Sequence, residues 1–144
     1  MTARYPTGAP DADWKAAWAG AGFNPYAWRN PSGEQLVARE LHDRLVELGG
    51  WAACVRDLSL APVLLTEGTD ASGAGAEMRL GRARECHDNS AALVRQDPTL
   101  VCHYGYALSD DGMWREHSWC VKPDGGIIET TQERVAYFGA PSRD

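Results

Sequence analysis

Hydrophobic positions recur at helical spacing in the first half of the chain and form short runs in the second half. Residues 11–22 begin with a capping Asp and carry two Trp four positions apart, which predicts a short amphipathic helix. Helices are also predicted over residues 34–49, after Ser32, and over residues 85–96, with Cys86 in the first turn. The buried face of the second helix is expected to comprise Leu36, Val37, Leu41, Leu45 and Leu48.

Three β-like runs follow, at residues 99–109, 113–122 and 126–131. The connectors at 110–112 and 123–125 each place Gly third, as three-residue hairpin loops with a bulge require. The pattern therefore predicts an antiparallel meander. If the loops set the registers, paired residue numbers sum to about 222 in the first hairpin and about 248 in the second.

These registers bring particular side chains together. Gly105 is expected opposite His117, leaving space beside the imidazole for a neighbouring helix. Trp119 is expected opposite Glu129, so that His117 and Glu129 form a diagonal pair roughly 7–8 Å apart at the backbone. The two side chains can close that distance with a hydrogen bond, which Trp119 would shield from water.

Two segments carry weaker patterns. Residues 51–65 are apolar but interrupted by Pro62, so helix and strand both stay open. Residues 67–77 are rich in Gly, Ala and Ser, which predicts a mobile loop. Because this segment comes shortly before the helix that begins with Cys86, we expect the loop to border the cleft at the start of that helix. The expected fold is one α+β domain over residues 1–144, with N-terminal helices followed by a helix packed on a small antiparallel meander.

Composition and charge narrow the classes of protein. The chain has 44% apolar and 24% charged residues, a globular balance. Its net charge is −6 and it has no basic stripe, so a nucleic-acid partner is not expected. The first ten residues contain no apolar run, so we expect no signal peptide, no membrane span and a cytoplasmic location.

The cysteines and histidines could in principle ligate a metal, but their spacing argues against it. Strand residues three apart, such as His117 and Cys120, point to opposite faces of a sheet. Without a CxxC pair, the cysteines are expected to remain thiols. We therefore predict no metal and no cofactor.

Most of these side chains are interpreted as structural. Cys54 has apolar neighbours, and Cys102 and Cys120 lie inside predicted strands, where small buried thiols are common. His103 is expected on the same face as His117 and is the chief alternative to it as the histidine of the site. We interpret His103 as a hydrogen-bonded polar residue without a catalytic role. His42 is expected to be solvated.

Cys86 differs because it lies in the first turn of a helix among polar neighbours. That position favours the thiolate, which is the nucleophilic form of cysteine. The order of a helix with Cys followed by strands with His and a carboxylate resembles the papain-like superfamily, and within it the transglutaminase-like branch. That branch has a His-x-Trp strand, here His117-Ser118-Trp119, and then an acidic strand residue, here in Ile128-Glu129-Thr130.

The resemblance covers about residues 81–139. It implies that Cys86 is the nucleophile, His117 the general base and acid, and Glu129 the carboxylate that orients the histidine. Two positions depart from the family pattern: Glu replaces the usual Asp or Asn, and residues 78–85 contain no Gln or Asn for an oxyanion hole.

Several residues are candidates for the rest of the site. The Cys86 N–H is expected to give one oxyanion bond, with His87, Tyr104 or an upstream Trp giving the second. Trp114 and Trp119 are expected to bound the pocket or to shield the site.

The predicted activity is cysteine-dependent acyl transfer through a thioester. Hydrolase, deamidase, transglutaminase-like and amide-forming reactions all stay open. The expected substrate is a small amide, a peptide or an acyl-carrier-type molecule. The alternative is a non-catalytic binding or immunity-type module on the same scaffold.

Overall fold

The computed structural model describes residues 4–5, 16, 18 and 24–142. Within these residues, α-helices pack on a curled, mostly antiparallel sheet, which places the chain in the predicted α+β class. The helix predicted over residues 11–22 lies outside the described residues, apart from Ala16 and Trp18.

The described part contains three α-helices of different lengths. They are α1 (Gly33–Leu48), α2 (Ala61–Glu67) and α3 (Cys86–Gln96), with 3₁₀ turns at Pro25–Ala27 and Leu58–Leu60. None of them is both long enough and apolar enough to cross a membrane.

Helix α1 confirms the prediction for its segment. Ser32 caps it in a capping box with Gln35. Leu41, Leu45 and Leu48 are fully buried, as the periodicity indicates. Two expectations for this helix, the burial of Leu36 and the exposure of His42, are wrong.

Leu36 is 48% exposed, because the buried face is completed by Ala38 instead. His42 was expected in solvent but is only 6% exposed. Its ring packs against Trp18 and Tyr26, whose rings cover this side of the helix. A polar residue on a helix can thus be buried by aromatic side chains that local periodicity does not reveal.

Seven strands of the described chain form one sheet. They are β1 (Ala52–Ala53), β2 (Thr69–Ser72), β3 (Glu77–Met78), β4 (Val101–Leu108), β5 (Met113–Val121), β6 (Ile127–Glu129) and β7 (Ala136–Pro141). Their order is β2-β7-β4-β5-β6-β3, and β1 pairs in parallel with the start of β5.

Both predicted hairpin registers are confirmed. Gly105 pairs with His117 in the β4–β5 ladder, and Cys120 pairs with Ile128 in the β5–β6 ladder. The loop glycines Gly112 and Gly125 have φ angles of 87° and 89°, which side chains with a Cβ rarely adopt. The turn chemistry therefore fixed the registers as expected.

Two parts of the sheet were not foreseen. Strand β7 has no polar-apolar alternation because it is an interior strand with five of its six residues buried, and it pairs with both β2 and β4. The segment 67–77 was expected to be a loop, but β2 lies within it as an edge strand. Residues 72–76 line a separate depression, not the cleft beside Cys86.

The segment 51–65, left open by its sequence, is divided between β1, a 3₁₀ turn and the start of α2. Pro62 lies in the first turn of α2, where its missing N–H costs no hydrogen bond.

Strand alternation gives the sheet two different faces. One face carries the main core, in which Leu108, Trp114 and Phe138 pack with α1 and α2. Cys120 and Ile128 lie on that face beneath α3. The opposite face buries a second cluster that includes Ala107, Trp119, Ile127 and Tyr137. His117 and Glu129 belong to this second face.

Candidate active site

The first turn of α3 lies at an opening in the sheet. On one edge of β5, β1 pairs with the first two residues and β6 with the last two, so no described strand covers the middle. There the backbone of Ser118 forms a hydrogen bond with the Cys86 sulfur. The topology thus brings the first residue of a helix against the centre of a strand.

The approach to α3 is fixed by the side chain of Asn89. Its amide accepts a hydrogen bond from the Arg82 N–H at 3.2 Å and donates one to the Arg82 carbonyl at 2.8 Å. Gly81 is needed here, because a Cβ on it would lie 2.5 Å from Asn89. The N–H of Gly81 also donates to Thr130 O at 2.8 Å, which ties this segment to the strand that ends at Glu129.

His117 is held between Cys86 and Glu129. Its Nε2 lies 2.7 Å from Oε1 of Glu129, and its side chain also forms a hydrogen bond with the Cys86 thiol. Since Nε2 faces the carboxylate, the nitrogen available to the sulfur is Nδ1. The structure therefore brings together all three residues singled out in the sequence.

The Glu129 carboxylate is fully buried and has four hydrogen-bond donors. Oε1 accepts from His117 and from the Tyr137 hydroxyl at 2.8 Å. Oε2 accepts from the N–H and the hydroxyl of Thr131, at 2.9 and 3.0 Å. The extra methylene of Glu, compared with Asp, is thus accommodated by a set of donors that fixes both oxygens.

The charges of Glu129 and His117 stabilise each other. Burial raises the pKa of Glu129, but the hydrogen bond and charge of His117, with the bonds from Thr131 and Tyr137, lower it well below its ordinary value. Burial lowers the pKa of His117, but its hydrogen bonds to Cys86 and Glu129 and the Glu129 charge raise it overall. The arrangement favours a carboxylate beside an imidazolium.

The thiol responds to the same charges. Burial raises the pKa of Cys86, yet the hydrogen bond and charge of His117 and backbone hydrogen bonds of Ser118 and His87 outweigh it, so the pKa is lowered. Among the other thiols, burial raises the pKa of Cys54, Cys102 and Cys120. Cys86 is therefore the thiol whose surroundings favour the nucleophilic thiolate.

Trp119 covers the histidine from within the second face. It is 2% exposed, and its ring lies stacked 6.0 Å from that of His117. A Cβ on Gly139 would lie 2.6 Å from the Trp119 ring, so glycine gives the indole its space. Gly105, expected to make room for a helix, instead allows close approach of β7: a Cβ there would lie 2.2 Å from Phe138 O.

The remaining sequence candidates are divided between the site and the core. The His87 imidazole lines the cleft, bonds to Ser118 Oγ through Nδ1, and stacks on Tyr104 at 5.1 Å. The Tyr104 hydroxyl is directed to Glu116 at 3.4 Å. Trp114 does not bound the cleft: it is fully buried and its Nε1 donates to Gly49 O at 2.9 Å.

Half-buried His103, the rival histidine, lies beside Trp119, with ring centroids 6.2 Å apart. It does not line the cleft in front of Cys86. Cys54, interpreted from its neighbours as core, is half-buried and does line that cleft. Cys102 and Cys120 pair across β4 and β5, as the register predicted, and both are free thiols.

A cleft of about 630 Å³ opens at Cys86 and His117. Two kinds of side chain in it were missed by sequence reasoning. Gln132 is the side-chain amide among the described lining residues, but the search for such an amide covered only the segment upstream of Cys86. Arg134, in the loop before β7, was the other. Tyr137 of β7, which bonds to Glu129 and does not line the cleft, was also missed, because β7 was not predicted.

Residues 24–142 contain no cluster of three or more His, Cys, Asp or Glu side chains arranged to hold a metal ion. Comparisons with known protein families, with curated proteins and with solved structures gave no match.

Proposed function

We propose that the protein is a cysteine-dependent acyl-transfer enzyme with a papain-like arrangement of Cys86, His117 and Glu129, closest in pattern to the transglutaminase-like branch. The observation that carries the proposal is the chain of contacts from the buried Glu129 carboxylate through His117 to Cys86. A purely structural role does not explain why this chain ends at a thiol that faces an open cleft.

The first chemical step follows from the charges. The Cys86 thiolate attacks the carbonyl carbon of an amide or thioester, which forms a C–S bond and a tetrahedral oxyanion. When the intermediate collapses, the bond to the leaving group breaks and His117 gives its proton to that group. The product of this step is a thioester on Cys86.

The second step transfers the acyl group to water or to an amine. His117, now neutral, removes a proton from this acceptor as it attacks the thioester. The C–S bond breaks and the thiolate returns beside the imidazolium. Glu129 keeps its charge throughout and stabilises the imidazolium.

The oxyanion needs hydrogen-bond donors. The backbone N–H of Cys86 lies in the first turn of α3, where N–H groups lack partners within the helix. We assign the second donor to the side-chain amide of Gln132, which lines the same cleft. Tyr104 is the weaker candidate, because its hydroxyl is directed to Glu116.

The proposal is tested by the rate of Cys86 alkylation with iodoacetamide as a function of pH. In the wild type, the reactive thiolate should appear below the pH at which an ordinary thiol ionises, because the pKa of Cys86 is lowered. In His117→Ala, the apparent pKa of Cys86 should rise. His103→Ala is the matched control, because this half-buried histidine does not line the cleft.

Intact-mass measurements after incubation with amides, activated esters and thioesters test the chemistry itself. A mass gain on Cys86 that disappears in Cys86→Ala identifies the acyl-enzyme. Slow alkylation that is the same in the wild type and in His117→Ala would instead support a binding or immunity-type module.

A further inference from the structure

Arginines dominate the charge of the cleft in front of Cys86. Arg56, Arg84, Arg115 and Arg134 all line it, whereas Glu116 is the acidic residue among the described lining side chains. The whole chain has the opposite balance, with a net charge of −6. The positive charge is therefore a local property of the cleft.

Two of these arginines form hydrogen bonds or ion pairs with other side chains of the protein. Arg115 forms a bidentate pair with Asp111, at 2.6 and 3.2 Å. The Arg134 side chain is 10% exposed and donates to Ser109 and Thr131. Its Nε lies 3.9 Å from Glu129 and, although buried, has no hydrogen-bond partner in the described part of the chain.

Arg84 is different. It lies two residues before Cys86, is exposed, and makes no hydrogen bond or ion pair within residues 24–142. Its φ angle is 66°, in the left-handed region that residues with a Cβ rarely adopt. Arg84 therefore lines the cleft with guanidinium donors that are available to a ligand.

Such a cleft attracts anions. A pocket in which one sign of charge predominates raises the local concentration of oppositely charged ligands. Guanidinium groups also bind carboxylates and phosphates through two parallel hydrogen bonds. A neutral acyl donor would use neither property.

We propose that the acyl donor carries an anionic group, a carboxylate or a phosphate, which Arg84 binds in the positive field of the cleft arginines while its carbonyl lies at Cys86. This inference rests on the acyl-transfer function proposed above and adds the substrate class. The first bond formed is still the C–S bond, and the leaving group still takes its proton from His117. The anionic group is retained in the acyl-enzyme and orients it.

The test compares two alkylating reagents of similar size and equal leaving group, the anionic iodoacetate and the neutral iodoacetamide. Each forms an S–C bond and releases iodide. The second-order rate constant of each is measured at Cys86 by peptide mass analysis, which separates it from Cys54 in the same cleft. The ratio of the two rate constants is compared with that of the neutral thiol N-acetylcysteine amide.

We expect the iodoacetate-to-iodoacetamide ratio at Cys86 to exceed that of the small thiol by about tenfold at low salt. Arg84→Gln and Arg56→Gln should each lower the ratio, and the double variant should lower it most. Raising the salt above about 0.1 M should reduce the preference, because ions screen the attraction. Arg82→Gln is the matched control: this arginine, 85% exposed in its side chain, lies in the same segment but does not line the cleft.

To distinguish the two sources of the anion, inorganic phosphate and acetate are added as competitors of iodoacetate. Stronger inhibition by phosphate indicates a phosphate-bearing donor, and stronger inhibition by acetate indicates a carboxylate-bearing one. A ratio equal to that of the small thiol, or one unchanged in the double variant, would overturn the inference while leaving the enzyme proposal intact. Failure of the enzyme proposal would be seen separately, as a pH profile of Cys86 alkylation that is the same in the wild type and in His117→Ala.

Discussion

Replacing Glu129 with Gln tests whether the buried carboxylate acts on Cys86 through His117. The substitution keeps the size of the side chain and removes its charge. The wild-type carboxylate accepts four hydrogen bonds, two on each oxygen. A glutamine amide has one oxygen, so two of the four donors must lose their acceptor.

The cost to folding can be worked out from these contacts. If the amide oxygen keeps His117 and Tyr137, the amide NH₂ faces Thr131. The Thr131 hydroxyl can turn and accept a bond, but the Thr131 backbone N–H cannot. An unsatisfied buried N–H costs about 1–3 kcal/mol. We therefore expect the variant to unfold at lower urea concentration by that free energy and to remain folded without denaturant.

The effect on the thiol has a definite direction. Without the carboxylate charge, the pKa of His117 falls, because burial then acts with less opposition. Fewer imidazolium ions remain beside the sulfur, so the pKa of Cys86 rises. Turnover of any acyl donor should fall by about 10- to 10⁴-fold, since the imidazolium formed in the reaction is less stabilised.

The assay is a pH titration of Cys86 alkylation, measured beside urea unfolding of the same protein. Glu133→Gln is the control, because Glu133 lies in the loop that follows β6 and is exposed. A folded Glu129→Gln protein with the alkylation profile of the wild type would refute the reasoning, since the carboxylate would then have no influence on the thiol.

Three further predictions concern stability and selectivity. Gly139→Ala should destabilise the fold by about 1–3 kcal/mol in urea unfolding, because its Cβ would lie 2.6 Å from the Trp119 ring, whereas Gly33→Ala, with no atom within 4 Å of its Cβ, should not. The pKa of Glu129 is lowered in the folded state. The ionised carboxylate therefore contributes fully to stability when the pH is above the ordinary pKa of 4.5, and this contribution is lost as the pH falls through the lower pKa of the folded protein. The acid limb of a stability–pH curve should therefore flatten in Glu129→Gln relative to the wild type. Cys54→Ala should leave the alkylation rate of Cys86 within about twofold, measured by peptide mass analysis, because burial raises the pKa of the Cys54 thiol and its side chain takes no part in the histidine contact.

The hairpin registers show how far local chemistry can predict this protein. Two loops with Gly in third place determined that His117 pairs with Gly105 and that His117 and Glu129 share a face. A strand has a side-chain period of two, so a known register assigns every side chain to a face. The sequence between residues 99 and 131 therefore predicts that His117 and Glu129 lie next to each other on one face of the sheet.

Strand β7 shows where this reasoning ends. It is buried on both faces and paired on both edges, so its residues carry no alternation that marks a strand. The same reason explains the missed Tyr137, whose hydroxyl completes the Glu129 site. The segment 67–77 was similarly misjudged, because an edge strand with exposed small residues resembles a loop in sequence.

By itself, the sequence determined the α+β class, helix α1, the two hairpins and the three residues of the candidate triad, because each depends on local periodicity, capping or turn geometry. Only the tertiary structure decided that the start of α3 occupies the open edge of β5, that four donors hold Glu129, and that arginines from separate segments line one cleft. These features depend on contacts between residues distant in the chain, which no local pattern encodes.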